Sequence, residues 1–258
     1  LSLGLDSFVF WDDDPVERAK IKSKLPEVNV IDVPNDVTLW PKKLDELDLF
    51  AKFDVHSDDR KKLTQYKSKV KFERKKILSN DIQSFLKTIK LKPQIKLLDK
   101  TSIARATQLS QKTNQFNFRT QRYNESHIIN LLNDKNNNIY IFSAKDIFGD
   151  YGQIALAVVK KITNKQAFLD TFLMSCRILG RDIELWFLQS ILDKLSVQSI
   201  DKLIIEYIPN ERNIIVNDFI KKCKMKKTTS SYDYKGLNGK IFEINTNAKI
   251  TKIKNLYG

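Results

Sequence analysis

In the stretch "DTFLMSCRILGRDIE", residues 170–184, an apolar, strand-like run stops at Cys176. Two arginines and a glycine follow, and then a strongly helical segment begins. The chemistry available at such a corner is that of a thiolate. Nearby cations and a helix N-terminus lower a thiol pKa, and Arg177, Arg181 and a helix opening near Asp182 are in position to do so. The backbone N–H groups of the same turn, Gly180 included, could also bind phosphate or stabilise an oxyanion. The competing reading is a small buried core cysteine, the commonest fate of a free thiol; spacing alone leaves both open. Cys223 falls on a helical period in "FIKKCKM" and reads as structural. The chain has two cysteines and two histidines, His56 and His127, with no metal-ligand spacing among them, so a zinc site is not expected.

A second chemical cluster stands at the front. In "SFVFWDDDP" an apolar run, Phe8 to Trp11, ends in three aspartates and Pro15, and "PVERAKIKSKL" continues as a helix. Carboxylates at the C-terminal edge of a buried strand are how open α/β sheets present a metal or phosphate site. A capping cluster for the following helix is the alternative.

The elements that must position these groups follow from periodicity. "NVIDVP" is a second short strand. Residues 36–78 read as a helical linker that includes the basic helix "RKKLTQYKSKVKFERKK", in which Leu63, Tyr66 and Val70 recur at helical spacing. Residues 79–258 then give a strand ("KPQIKLLD"), two helices, three strands ("NIYIFSAKDI", "GQIALAVVKKI", "QAFLDTFLMSC"), a helix, a strand, a helix and a final strand ("KIFEINT"). "FGDYGQ" marks a tight turn whose glycines, Gly149 and Gly152, supply unusual backbone angles, with Asp150 a candidate site residue. Antiparallel strands followed by strand–helix–strand is an α+β pattern with a mixed sheet.

Hydrophobic residues make up 41% of the 258-residue chain, which excludes a disordered protein, and no apolar run approaches the ~20 residues of a membrane span. There is no signal-peptide pattern, so a cytoplasmic location is expected. Lys, Asn and Ile are abundant throughout. The formal charge of +14 therefore reads first as compositional drift, then as docking charge for an acidic protein partner, and only last as a nucleic-acid surface.

The element order resembles the GNAT acyltransferase fold, in which the turn after the fourth strand holds the pyrophosphate of acyl-CoA. Arg177 and Gly180 match that turn's motif. Asp182 stands where a small residue is wanted, which argues against ordinary CoA binding. The blocks "FVFWDDDPVER", "ATQLSQKTNQFNFRTQRY", "FGDYGQIA", "DTFLMSCRILGR" and "YIPNERN" together resemble the FkbH-like family, which joins a HAD-type phosphatase domain to a GNAT-like domain. Departures from the family pattern are DDDP for DDNP, Gly180-Arg181-Asp182 for GRG, and Arg212-Asn213 for a Lys-Asn pair.

The resemblance implies three regions: a C-terminal remnant of a HAD-like α/β domain (1–35), the helical linker (36–78) and a GNAT-like acyltransferase domain with a mixed central sheet (79–258). The chain would then be the C-terminal portion of a longer protein. The implied activity is loading a glyceryl or phosphoglyceryl unit from 1,3-bisphosphoglycerate, through a thioester on Cys176, onto an acidic acyl carrier protein. Arg177, Arg181, Gly180, Gln111, Lys112, Asn114, Gln115, Arg212 and Asn213 would contact the phosphorylated donor, with Asp170 as candidate proton acceptor. Asp12 and Asp13 correspond to the acidic pair that helps hold Mg²⁺ in a complete HAD domain. The HAD nucleophile motif is absent, so phosphatase activity is not expected of this chain. The alternatives are a CoA-dependent N-acyltransferase and a partner-binding module without chemistry.

Overall fold

The computed structural model describes residues 4–50, 57–79, 81–228 and 237–250. The chain divides into two compact units, Leu1–Lys62 and Leu63–Gly258.

In the first unit, β1 (Val9–Phe10) and β2 (Asn29–Val30) pair in parallel around α1 (Pro15–Lys24). Pro15 opens α1, its fixed φ suiting the first helical position and its missing N–H costing nothing there. Asp14 caps the helix, its Oδ1 accepting from the Val16 N–H at 2.8 Å. The short helix α2 (Trp40–Asp45) follows, and the Trp40 indole donates to the Pro34 carbonyl (2.9 Å) and meets Trp11 edge-on at 6.0 Å. A β–α–β unit with two-residue strands identifies no parent fold.

The boundary between the units falls within α3 (Ser57–Ile77), so residues 63–77 pack with the second unit. The buried face of α3 is Gln65, Ser68 and Phe72, whereas Val70 of the expected face is exposed; the Leu63 side chain lies outside the described residues. The face is rotated because its polar members bury against backbone carbonyls. Ser68 donates to Phe148 O (2.7 Å) and Gln65 to Asp150 O (3.3 Å). A buried polar group satisfied in this way pays no desolvation penalty that hydropathy would flag.

The remaining elements are α4 (Ile82–Thr88), β3 (Lys92–Leu97), α5 (Ile103–Lys112), β4 (Phe116–Asn117), α6 (Glu125–Asn133), β5 (Asn137–Asp146), β6 (Gly149–Lys161), β7 (Gln166–Met174), α7 (Ile183–Val197), β8 (Lys202–Tyr207), α8 (Ile215–Lys222), β9 (Lys226–Lys227) and β10 (Lys240–Asn245). They form the expected α+β arrangement, a mixed sheet in the order β3-β5-β6-β7-β8-β10-β9 with β4 added beside β7. Every pairing is antiparallel except β7–β8, whose crossover is α7.

Strand alternation divides the core in two. Phe142, Ala157, Phe172 and Met174 pack with α7, α8 and Phe72, while Ile141, Leu156, Val158 and Leu173 pack with α5 and α6. Gly152, at φ +62, supplies the left-handed backbone of a bulge in β6, and Asp150 closes its turn by accepting from the Gly152 N–H (2.8 Å).

Candidate functional site

Two features organise the end of the sheet where β7 stops. The first is a parting of strands. The parallel β7–β8 pairing runs from Gln166↔Lys202 to Leu169↔Ile205 and ends there. The next residues are Asp170, the extra residue of a bulge against β6, and Glu206. Two buried carboxylates on adjacent rungs repel unless a cation separates them. Arg119 does so, with contacts of 2.5 Å to Asp170 and 2.6 Å to Glu206. Beyond Arg119, the segment 116–118 fills the gap between the strands. Phe116 and Asn117 pair with Met174 and Leu173, the Phe118 N–H donates to Phe172 O (3.2 Å), and the Ile208 N–H donates to Phe118 O (2.9 Å).

The second feature is the turn after β7, Ser175 to Arg181, which carries the half-buried Cys176. Helix α3 lies over it. Lys69 Nζ donates to the Cys176 carbonyl at 2.8 Å and Lys76 Nζ to the Gly180 carbonyl at 3.3 Å. The Tyr66 hydroxyl lies close enough to the Cys176 thiol for the two to influence each other's ionisation. Burial raises the Tyr66 pKa and the adjacent thiol adds to the effect. Burial lowers that of Lys69, opposed by Cys176 and Glu73. Gly180, at φ +88, has the left-handed backbone the turn requires.

The two arginines of the turn serve a purpose other than the expected one. Arg181 is fully buried: Nε pairs with Asp146 at 3.0 Å, Nη2 donates to the Tyr151 hydroxyl at 2.8 Å, and the guanidinium stacks 3.8 Å from the Phe72 ring. Arg177 is also buried, held by Ser175 Oγ (3.0 Å) and Gln65 Oε1. Both brace the turn from inside, so neither presents a cation to a ligand. The side chains of Arg177 and Arg181 are therefore not the groups that could hold a CoA pyrophosphate at this turn.

Asp170 does not serve Cys176 either. The strand continues to Met174, about 13 Å further at ~3.3 Å per residue, before the cysteine turn begins. Its carboxylate is already held by Arg119, by Lys160 (3.2 Å) and by the Tyr123 hydroxyl (2.7 Å).

The 111–115 block and the 212–213 block, separate in sequence, are drawn together at this end of the sheet. Asn213 is fully buried, and its amide donates to Asn117 O (2.9 Å) and Ile208 O (3.0 Å) while its Oδ1 accepts from the Asn210 N–H (2.8 Å). It ties loops together and leaves no group for a ligand. Gln111 donates to Tyr123 O (2.8 Å) and Asn114 accepts from Arg122, so both hold the loop. Lys112 and Arg212 are exposed and Gln115 is half-buried. Arg122 donates to the carbonyls of Gln111 (2.9 Å) and Thr113 (3.2 Å), capping the C-terminus of α5. Its pKa is lowered by burial and then by the charge of Arg212.

Sequence reasoning missed Tyr66, Lys69, Arg119 and Arg122. The last two lie in "FNFRTQRY", but nothing in their spacing assigns them roles.

At the front of the chain, Asp12 Oδ1 accepts from the Asp14 N–H (2.9 Å), and Arg18 donates to the carbonyls of Asp12 (2.8 Å) and Asp13 (2.9 Å). Among the described residues no three His, Cys, Asp or Glu side chains gather as a metal-binding group. Among the same residues, no helix is long and apolar enough to cross a membrane.

No family model and no curated protein matches the sequence. Solved structures similar to the chain include the ribosomal-protein-S18-alanine N-acetyltransferase of Escherichia coli, at 14% identity and TM-score 0.45, covering 61% of this chain and 96% of that one. A domain from Methanocaldococcus jannaschii aligns at 16% identity and TM-score 0.47, covering 60% and 99%. The spermidine N-acetyltransferase of Vibrio cholerae, solved in complex with CoA and spermine, aligns at 12% identity and TM-score 0.44, covering 60% and 96%. Likenesses this distant decide nothing about chemistry.

Proposed function

We propose that residues 63–258 form a GNAT-like acyltransferase domain that works through a thioester on Cys176. The observation that carries this reading is the setting of the thiol. It is half-exposed in the turn after β7, with the Lys69 ammonium on its own carbonyl and the Tyr66 hydroxyl nearby. Within that reading the acyl donor is 1,3-bisphosphoglycerate. The thiolate attacks the carbonyl carbon of the acyl phosphate, the C–S bond forms as the C–O bond to phosphate breaks, and inorganic phosphate leaves with the electron pair. The thiol proton passes to solvent. The phosphopantetheine thiolate of an acidic acyl carrier protein then takes the acyl group and regenerates Cys176. The exposed Arg212 suits the donor's remaining phosphate, and the +14 charge suits the carrier.

Intact-protein mass spectrometry after incubation with 1,3-bisphosphoglycerate tests this on wild type and Cys176→Ala. The expected result is a phosphoglyceryl adduct on the wild type alone, cleared by hydroxylamine. No adduct on the wild type, under conditions where the donor remains intact, removes the thioester reading.

A CoA-dependent N-acyltransferase is the second reading, favoured by the left-handed Gly180 in the turn after β7. It requires the backbone N–H groups of that turn, rather than Arg177 or Arg181, to hold the pyrophosphate. It predicts acetyl transfer from acetyl-CoA that survives Cys176→Ala.

A further inference from the structure

A cleft of about 390 Å³ opens between the end of α8, β9 and the far end of β8 and β10. Five of its eleven lining residues are lysines, Lys202, Lys222, Lys224, Lys226 and Lys249, and Glu243 is the one carboxylate among them. Glu243 is shared: Lys202 Nζ lies 3.4 Å from it, and Lys226 stands opposite it across the β10–β9 ladder. Lys222 and Lys249 lean out to Asp182 (2.6 Å) and Asp193 (3.4 Å), neither of which lines the cleft. Lys224 and Lys226 have no ion-pair partner among the described residues. The α8 C-terminus contributes about half a negative charge, well short of cancelling this excess.

Lys224 holds φ +53 just after the helix, where glycine or asparagine is the relaxed choice. The cleft therefore has a lysine in its lining at a position where the backbone disfavours one. Cys223, also in the lining, is no nucleophile: burial and then the charge of Glu184 push its thiol up to about 12.

The Lys202 wall of this cleft lies far from the cysteine turn, whereas Lys222 on its other side reaches Asp182, just past that turn. Lys202 is level with Gln166 at the start of β7, and β7 then runs on to Met174, about 26 Å at ~3.3 Å per residue, before Cys176.

We propose that this cleft is a second ligand site, which binds a small organic phosphate or polyphosphate. Ammonium groups on flexible stems bind phosphate as point charges, and several of them around one concavity match a ligand with clustered negative charge. The volume is that of a small-molecule site.

Isothermal titration calorimetry with sodium tripolyphosphate tests the site on the full chain at low and moderate salt. The expected result is saturable one-to-one binding that weakens with salt, and roughly tenfold or more with Lys224→Glu/Lys226→Glu. Lys92→Glu/Lys96→Glu removes the same charge at the opposite edge of the sheet and is expected to leave binding within about twofold. Cys176→Ala is expected to bind like wild type. If charge reversal unfolds the protein, Lys224→Gln/Lys226→Gln is the replacement variant, with the same direction of effect. Binding at several equivalents, no binding, or equal loss in the two charge-matched variants overturns the proposal, the last by showing that net charge alone is responsible.

Discussion

Replacing Asp146 by asparagine isolates the charge of the ion pair that braces the cysteine turn. Asp146 and Arg181 side chains are both 0% exposed and 3.0 Å apart. Asparagine keeps the shape and its Oδ1 can still accept from the Phe148 (2.8 Å) and Gly149 (3.2 Å) N–H groups, while its NH2 replaces the Oδ2 that accepted from Arg181, so the variant loses the charge and that one hydrogen bond. A buried guanidinium left without its counter-ion costs about 3–5 kcal/mol, more than the ~1–3 kcal/mol of one broken neutral hydrogen bond. Against a total of about 5–15 kcal/mol, that is a large share of the stability of a domain. At an m-value of about 2–3 kcal/mol/M the urea midpoint falls by about 1–2 M. Trp186, packed on Phe142, reports this unit, and Trp11→Phe and Trp40→Phe silence the other two tryptophans, which lie in the first. The double variant Asp146→Asn/Arg181→Met removes both charges and is expected to regain much of the loss. A single variant within about 1 kcal/mol of the parent, or a double variant as unstable as the two singles summed, would refute the burial of the pair.

Three further outcomes are expected. Gly180→Ala is expected to cost about 1–2 kcal/mol from its φ of +88, since the new Cβ meets Lys76 Nζ at 3.4 Å, Glu73 Oε1 at 3.5 Å and Phe72 Cε1 at 4.0 Å, all side-chain atoms at or near ordinary contact; a neutral result in urea unfolding counts against that backbone. Glu184 has a buried Oε2 without a hydrogen-bond partner, and burial raises its pKa from 4.5 to about 7. Between those values the unfolded chain ionises while the folded one keeps its proton, so this group's contribution to stability falls by about 3 kcal/mol as pH rises through that window, then levels off. Unfolding of Glu184→Gln at pH 5 and pH 8 is expected to lack this loss, and an unchanged pH difference would reject it. Tyr66→Phe, by removing the hydroxyl near the Cys176 thiol, is expected to change iodoacetamide alkylation about two- to fivefold, the scale of a ~1 kcal/mol polar interaction; identical rates would show that the hydroxyl does not influence the thiol.

Much of the scaffold was legible because it rests on period and punctuation. The three long antiparallel strands, the apolar α7 and the capped α1 each follow from alternation, helical spacing or a cap residue with proline behind it. The two-residue strands β4 and β9 were not, since no period fits in two residues and each exists only by pairing with a neighbour. The α3 face was misjudged for a related reason: Gln65 and Ser68 bury because distant carbonyls receive them.

The candidate site divides along the same line. Sequence by itself determined that a cysteine stands at a strand-to-helix turn and that a glycine supplies the turn's backbone, since both are local facts of chain geometry. Tertiary structure decided which charges face that cysteine. Arg177 and Arg181, its neighbours in the chain, turn inward to Gln65 and Asp146, while Tyr66 and Lys69 reach it from a helix more than a hundred residues earlier. A buried guanidinium must find its acceptors wherever the fold provides them. The partner of a charged side chain is therefore set by packing and desolvation, which adjacency in sequence does not encode.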